Sequence, residues 1–256
     1  MIPLPFIPLT FAISLAGFVC ILAIPAARSP ESGIGLPIWL LMVWGPSLAA
    51  IILCLRDGQL VDLLGRVVKV STVPLVVWAL VAAPLIFLIL LGPFAPDTGS
   101  PLGMGLLASM VLLNLILGPL GEELGWRGYL QEHLNSRIGW LAASLLIGAI
   151  WFVWHLPLWA IDSPHAQIAI PLFAGHVMCY AVIIGAAYTL SGGSILPAIL
   201  IHLTVNLASN LAIFWGFRDP NGWFGTSLWL YLVLAIVSIG TVYVRTGQAG
   251  WQLPSF

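Results

Sequence analysis

Eight stretches of this chain, 6–27, 34–55, 73–92, 102–120, 138–160, 167–190, 194–216 and 226–244, contain no Asp, Glu, Lys or Arg at all. Each is about as long as the roughly 20 helical residues that cross ~30 Å of hydrocarbon. In lipid, backbone N–H and C=O groups must be satisfied within the protein, which leaves only helices or a closed barrel. The apolar/polar alternation that barrel strands require is absent. The expected fold is therefore all-α, a polytopic integral membrane protein of about eight transmembrane helices. Composition agrees: with 61% hydrophobic and 7% charged residues, a water-facing surface could not be covered. A net charge of −1 without any basic run gives no ground for a nucleic-acid partner.

The spans are separated by Gly, Pro, Ser, Asp or Arg clusters, the segment from Gly92-Pro93 to Pro101 among them. No internal repeat, low-complexity tract or soluble domain interrupts them, so 1–256 reads as one transmembrane domain. Small residues from Ala23 to Arg28 imitate a signal-peptide cleavage site, but no basic region precedes the first span, which reads as a retained helix. Leu60, Leu63, Leu64, Val67 and Val68 recur at helical spacing with Asp62, Arg66 and Lys69 on the other arc, the pattern of an interfacial helix whose basic groups snorkel to the surface. Arg56, Arg66, Lys69, Arg137 and Arg245, with Arg127 nearby, fall on one side of the membrane, against Arg28 and Arg218 on the other. That places both termini in the cytoplasm. Cys20, Cys54 and Cys179 lie in apolar segments and read as buried thiols rather than a disulfide framework.

Charges in such a chain need a reason, because an ionised side chain near the middle of a membrane helix costs about 2.5–3.5 kcal/mol. Directly after the fourth run stand Glu122, Glu123 and Arg127. If the helix continues through them, Glu123 and Arg127 are four apart and pair on one face, while Glu122 stays free of local neutralisation. The fifth span carries His155 with Trp151 and Trp159 four residues to either side, and the seventh carries His202 and Asn206 four apart, with Asn210 one turn further. Stacked polar side chains on one membrane-helix face must look at protein or water. His176 reads as a packing or helix-bridging group; His133, His165, Asp97, Asp162 and Asp219 read as interfacial or loop residues.

A carboxylate to activate water, imidazoles to orient it and move protons, and an amide with a histidine to donate to an oxyanion meet the needs of amide hydrolysis. Thr204 and Ser194 have no recognisable base, and the cysteines sit away from the polar clusters, so no nucleophilic side chain is required. The alternative is a divalent metal such as zinc, held by a glutamate with His155 and His202 (Glu122, His155 and His202 as the set) and one open position. The usual helical signature of two histidines around a glutamate is absent, and direct activation of water without a cofactor is preferred.

Glu122-Glu123-x-x-x-Arg127, an aromatic residue four before His155, and His202-x-x-x-Asn206, in that order on three helices, resemble the CAAX prenyl protease type II and bacteriocin-processing (CPBP, ABI) family of intramembrane proteases. Gly125-Trp126-Arg127-Gly128-Tyr129-Leu130, His155-Leu156-Pro157 and Ser194-Ile195-Leu196-Pro197-Ala198 extend the likeness, whose motif core is about 100–210. The resemblance implies an intramembrane endopeptidase. In it Glu122 acts with His155 on the attacking water, Glu123 orients that histidine, His202 and Asn206 stabilise the oxyanion, and Arg127 is a structural partner. It further implies a peptide or protein substrate, prenylated or otherwise membrane-associated, and a prokaryotic plasma membrane as the location. One departure is visible: the family usually has Phe four before the histidine, where this chain has Trp151 followed by Phe152.

Two other functions fit the same residues. A non-catalytic immunity or binding protein could keep the polar core for stability, and a proton-coupled transporter could use Glu122, His155 and His202 as a relay, although paired broken helices in inverted repeats are not evident. Geometry sets a condition on any of them. With straight helices and these boundaries, Glu122 and His155, which lies some 17 residues into its span, sit at different depths. They meet only if the helix bearing the glutamates runs on to about Leu134 or if the fifth span starts later and tilts, and Gly118-Pro119 and Gly121 permit a kink.

Overall fold

The structure is a computed structural model that describes residues 5–91, 103–161, 163–215, 219–247 and 250. Among these the chain is helical throughout its regular elements: α1 (Phe6–Ala23), α2 (Gly35–Val43), α3 (Gly45–Arg56), α4 (Leu60–Val67), α5 (Leu75–Leu91), α6 (Met104–Ile116), α7 (Pro119–Glu123), a π-helical stretch (Leu124–Gln131), α8 (Glu132–Ile138), α9 (Trp140–His155), α10 (Ile170–Leu190), α11 (Leu196–Phe214) and α12 (Pro220–Thr246). Polarity is distributed inside out. Ile89, Leu90, Ile236, Val237 and Val244 are exposed on the outside, while Glu122, Glu123, Arg127, Gln131, His155, His176 and His202 are buried. That inversion is what a hydrocarbon solvent selects.

Each of the eight apolar runs corresponds to helix, but the count of eight spans is not confirmed. Six helices are long and apolar enough to cross a membrane, and a seventh crossing results if the bent pair α2–α3 counts as one. Leu75–Leu91, at 17 residues, is shorter. The bend of 64° between α2 and α3 falls where Pro46, lacking an N–H, cannot continue the α2 ladder.

The fourth span is the largest correction. It does not end near Leu120 but continues to Ile138, and Met104–Ile138 counts as one 35-residue span. Of the two ways for Glu122 to reach His155, the chain takes the first: the glutamates lie within the span. Pro119 interrupts the helix as expected, and acceptors near the break are taken by the α2–α3 bend. Trp44 Nε1 donates to the Ile116 carbonyl at 2.8 Å and Ser47 Oγ to that of Leu120 at 2.9 Å. Gly125 makes this approach possible, because a methyl group there would overlap the Pro46 backbone.

The interfacial helix forms as α4, with Leu63 buried and Val61 exposed. Its basic groups do not snorkel away from the protein. Arg66 donates to the Tyr188 hydroxyl (2.9 Å) and the Gly128 carbonyl (2.8 Å), and Lys69 to the Gly192 carbonyl (2.8 Å), because these acceptors lie beside α4 on the π-helical stretch and at the end of α10. Around the polar interior, α10 packs between α9 and α12, α11 packs on α5 and α10, and α1 on α2 and α3. His176 bridges helices as read, its Nε2 3.1 Å from Ser227 Oγ of α12. The three cysteines are free, Cys54 and Cys179 buried and Cys20 half-buried. Asp97, Asp162 and Arg218 fall outside the described residues.

Candidate active site

Three helices bring the polar motifs to one place. Glu122 from α7, His155 from α9, and His202 and Asn206 from α11 line a single cavity of about 330 Å³. Its polar floor extends through Asn114, Tyr180, Ser209 and Asn210, and its apolar wall includes Phe11, Leu15 and Phe18 of α1 with Trp39 and Met42 of α2. Asn114 and Asn210 are tied by a 2.7 Å hydrogen bond, Asn210 Nδ2 donating. Gly118 leaves room at the floor, since a Cβ there would lie 3.1 Å from Asn206 Nδ2.

The adjacent glutamates have separate surroundings. Glu122 Oε2 accepts the indole N–H of Trp151 at 2.5 Å. Glu123 points away from the cavity and is wholly buried; its Oε1 accepts from Arg127 Nη1 (3.1 Å) and from His202 Nδ1 (2.8 Å). The i,i+4 pairing of Glu123 with Arg127 is thus formed, with Nη1 also 3.0 Å from Oε2. Arg127 lies inside the bundle, not near the basic face. Its Nε and Nη2 have no hydrogen-bond partner among the described residues, and its Cζ sits 5.1 Å from the centroid of the Trp151 ring.

The implied link from Glu123 to His155 is not what the geometry presents. His155 Nδ1 meets the Trp151 carbonyl of its own helix at 2.8 Å, and the histidine that Glu123 holds is His202. The reason is reach: Glu123 and His202 face each other across the α7–α11 contact. Carbonyls and carboxylates only accept, so both Nδ1 atoms carry a proton, and in both rings Nε2 remains for the cavity. Each imidazole is fixed in tautomer and orientation before any ligand arrives.

Chemically the floor offers one carboxylate, two oriented imidazoles and a carboxamide. Thr204 Oγ1 donates to the Ile201 carbonyl and Ser194 Oγ to that of Lys69, so neither hydroxyl is paired with a base. Among the described residues no three His, Cys, Asp or Glu side chains are grouped as metal ligands. Sequence reasoning missed His165, whose ring lies 5.7 Å from that of His155 and which lines the cavity. It also missed Trp151 as a hydrogen-bond donor; the tryptophan in a phenylalanine position was the signal available.

A polytopic all-helical membrane protein with a preformed glutamate, histidine and asparagine floor inside its bundle is the class that fold and site define. Residues 104–208 match the family described as Type II CAAX prenyl endopeptidase Rce1-like. Over 109 residues the chain is 32% identical to CAAX prenyl protease 2 of Methanococcus maripaludis, and the matched part is 40% of this chain and 40% of that protein. The resemblance read from the three motifs therefore holds across the segment that carries them, from α6 into α11.

Proposed function

We propose that this protein is an intramembrane endopeptidase that hydrolyses a peptide bond with water activated by Glu122. The observation that carries this reading is the convergence of Glu122, His155, His202 and Asn206 on one cavity. Water bound between Glu122 and His155 Nε2 gives up a proton as its oxygen attacks the scissile carbonyl. The carbonyl oxygen becomes an oxyanion beside Asn206 Nδ2 and His202, which Glu123 and Arg127 hold in place. The proton then passes to the leaving amine as the C–N bond breaks, which balances the hydrolysis without a covalent intermediate.

In this reading no cofactor takes part, the whole chain is one catalytic domain, and both termini lie in the cytoplasm of a prokaryote. The substrate is a membrane-associated peptide or protein. Since the matched relative is named a CAAX prenyl protease, a prenylated C-terminal peptide is the first substrate to try. The test is cleavage of such peptides by the full chain in liposomes. Glu122→Gln keeps the shape of the side chain but removes its basicity, and is expected to lower the rate by about 10²–10⁴-fold with an unchanged melting temperature. A chelator is expected to leave the rate unchanged. Cleavage at the wild-type rate by Glu122→Gln would exclude Glu122 as the base, whereas a biological activity that Glu122→Gln leaves unchanged, with no peptide cleaved by the wild-type chain, would favour a binding or immunity role.

A further inference from the structure

Trp151 touches every charged or titratable group of the floor's centre. Its indole N–H donates to Glu122 Oε2, its carbonyl accepts from His155 Nδ1, its ring stands edge-on to His202 with centroids 5.2 Å apart, and its face covers the Arg127 guanidinium. The residue is 2% exposed and borders the cavity. A phenylalanine, the usual residue at this place in the family that the motifs resemble, would keep the ring contacts and the backbone carbonyl. It would lack only the N–H. What this chain has added is a donor aimed at one oxygen of the carboxylate.

We propose that Trp151 is a positioning residue for Glu122, an inference that rests on the peptidase reading above. A carboxylate offers two oxygens and can swing about its last torsion, so either may face the water. A buried indole N–H demands an acceptor and cannot rotate away. By claiming Oε2 it fixes the plane of the carboxylate and leaves Oε1 as the oxygen that takes the proton. Trp151 acts through Glu122 and not on the substrate. Its contribution belongs to the chemical step, not to binding.

The experiment replaces Trp151 in the full chain by phenylalanine and, by unnatural amino-acid incorporation, by 3-benzothienylalanine, which keeps the bicyclic shape and puts sulfur in place of the N–H. Both are expected to lower kcat about 10–100-fold, the usual cost of losing an orienting partner, with KM and melting temperature unchanged. In a Glu122→Gln background neither is expected to lower it further. The indole ¹H–¹⁵N resonance that disappears in Trp151→Phe is expected downfield in the wild type and displaced upfield in Glu122→Gln. Full kcat in the benzothienyl protein, or a raised KM with kcat unchanged, overturns the proposal. So does an indole resonance indifferent to Glu122→Gln, whatever the activity. If Glu122→Gln still cleaves, the reading of Glu122 as the base falls, and the resonance alone decides whether Trp151 fixes the carboxylate.

Discussion

Two ionic clusters in this molecule use nearly the same parts. Inside the bundle, Arg127 meets Glu123, which also holds His202, and the arginine and glutamate side chains have no exposure at all. At the ends of the helices, Arg66 meets Glu132 (3.3 Å) and Asp62 (3.3 Å) and donates to Tyr188, but Glu132 is 51% and Asp62 76% exposed. The inner cluster cannot borrow hydration, so each member is needed by the others. The outer one has solvent as a substitute partner, and serves to fasten α4 to the π-helical stretch and to α10. Burial, rather than the list of residues, separates a set that positions an imidazole from one that holds two elements together.

That contrast breaks if the inner cluster proves dispensable. Glu123→Leu leaves Arg127 charged and unpaired in the interior and is expected to destabilise by about 3–5 kcal/mol. Adding Arg127→Leu should restore most of that stability, yet cleavage should stay lost, because His202 Nδ1 still has no acceptor; unfolding in detergent and the liposome assay measure the two effects separately. A smaller loss is expected from Arg66→Gln, about 2 kcal/mol for hydrogen bonds from a charged group at a half-buried site, with cleavage at the wild-type rate. Least of all, Asp62→Asn removes only an exposed i,i+4 pair and should shift stability by under about 0.5 kcal/mol in the same unfolding measurement.

Much of the site could be read in the chain because helical spacing is a local rule. Glu123 with Arg127 and His202 with Asn206 are i,i+4 pairs, and each apolar run marked helix. The boundary of the fourth span could not be read in that way. In sequence a Glu-Glu pair followed by arginine looks like the end of an apolar segment. Here Arg127 neutralises one carboxylate, His202 donates to it, and Trp151 donates to the other, so the span runs on for 15 residues past Glu123. Which histidine Glu123 would hold was equally hidden, since that is decided by the packing of α7 on α11, a contact between positions 79 apart. Pro46 stands at the bend beside Trp44, but the carbonyls that the donors of this bend meet, more than 70 residues away, were hidden for the same reason.

Glu122, His155, His202 and Asn206 supply the polar floor of the cavity, whereas Phe11, Leu15, Phe18, Trp39 and Met42 supply part of its apolar lining. That part belongs to α1 and α2, which lie outside the segment matched to the protease family. The polar set and this share of the apolar lining are thereby written in separate parts of the gene, so substitutions in the first two helices can reshape the cavity while every member of the polar set keeps its place.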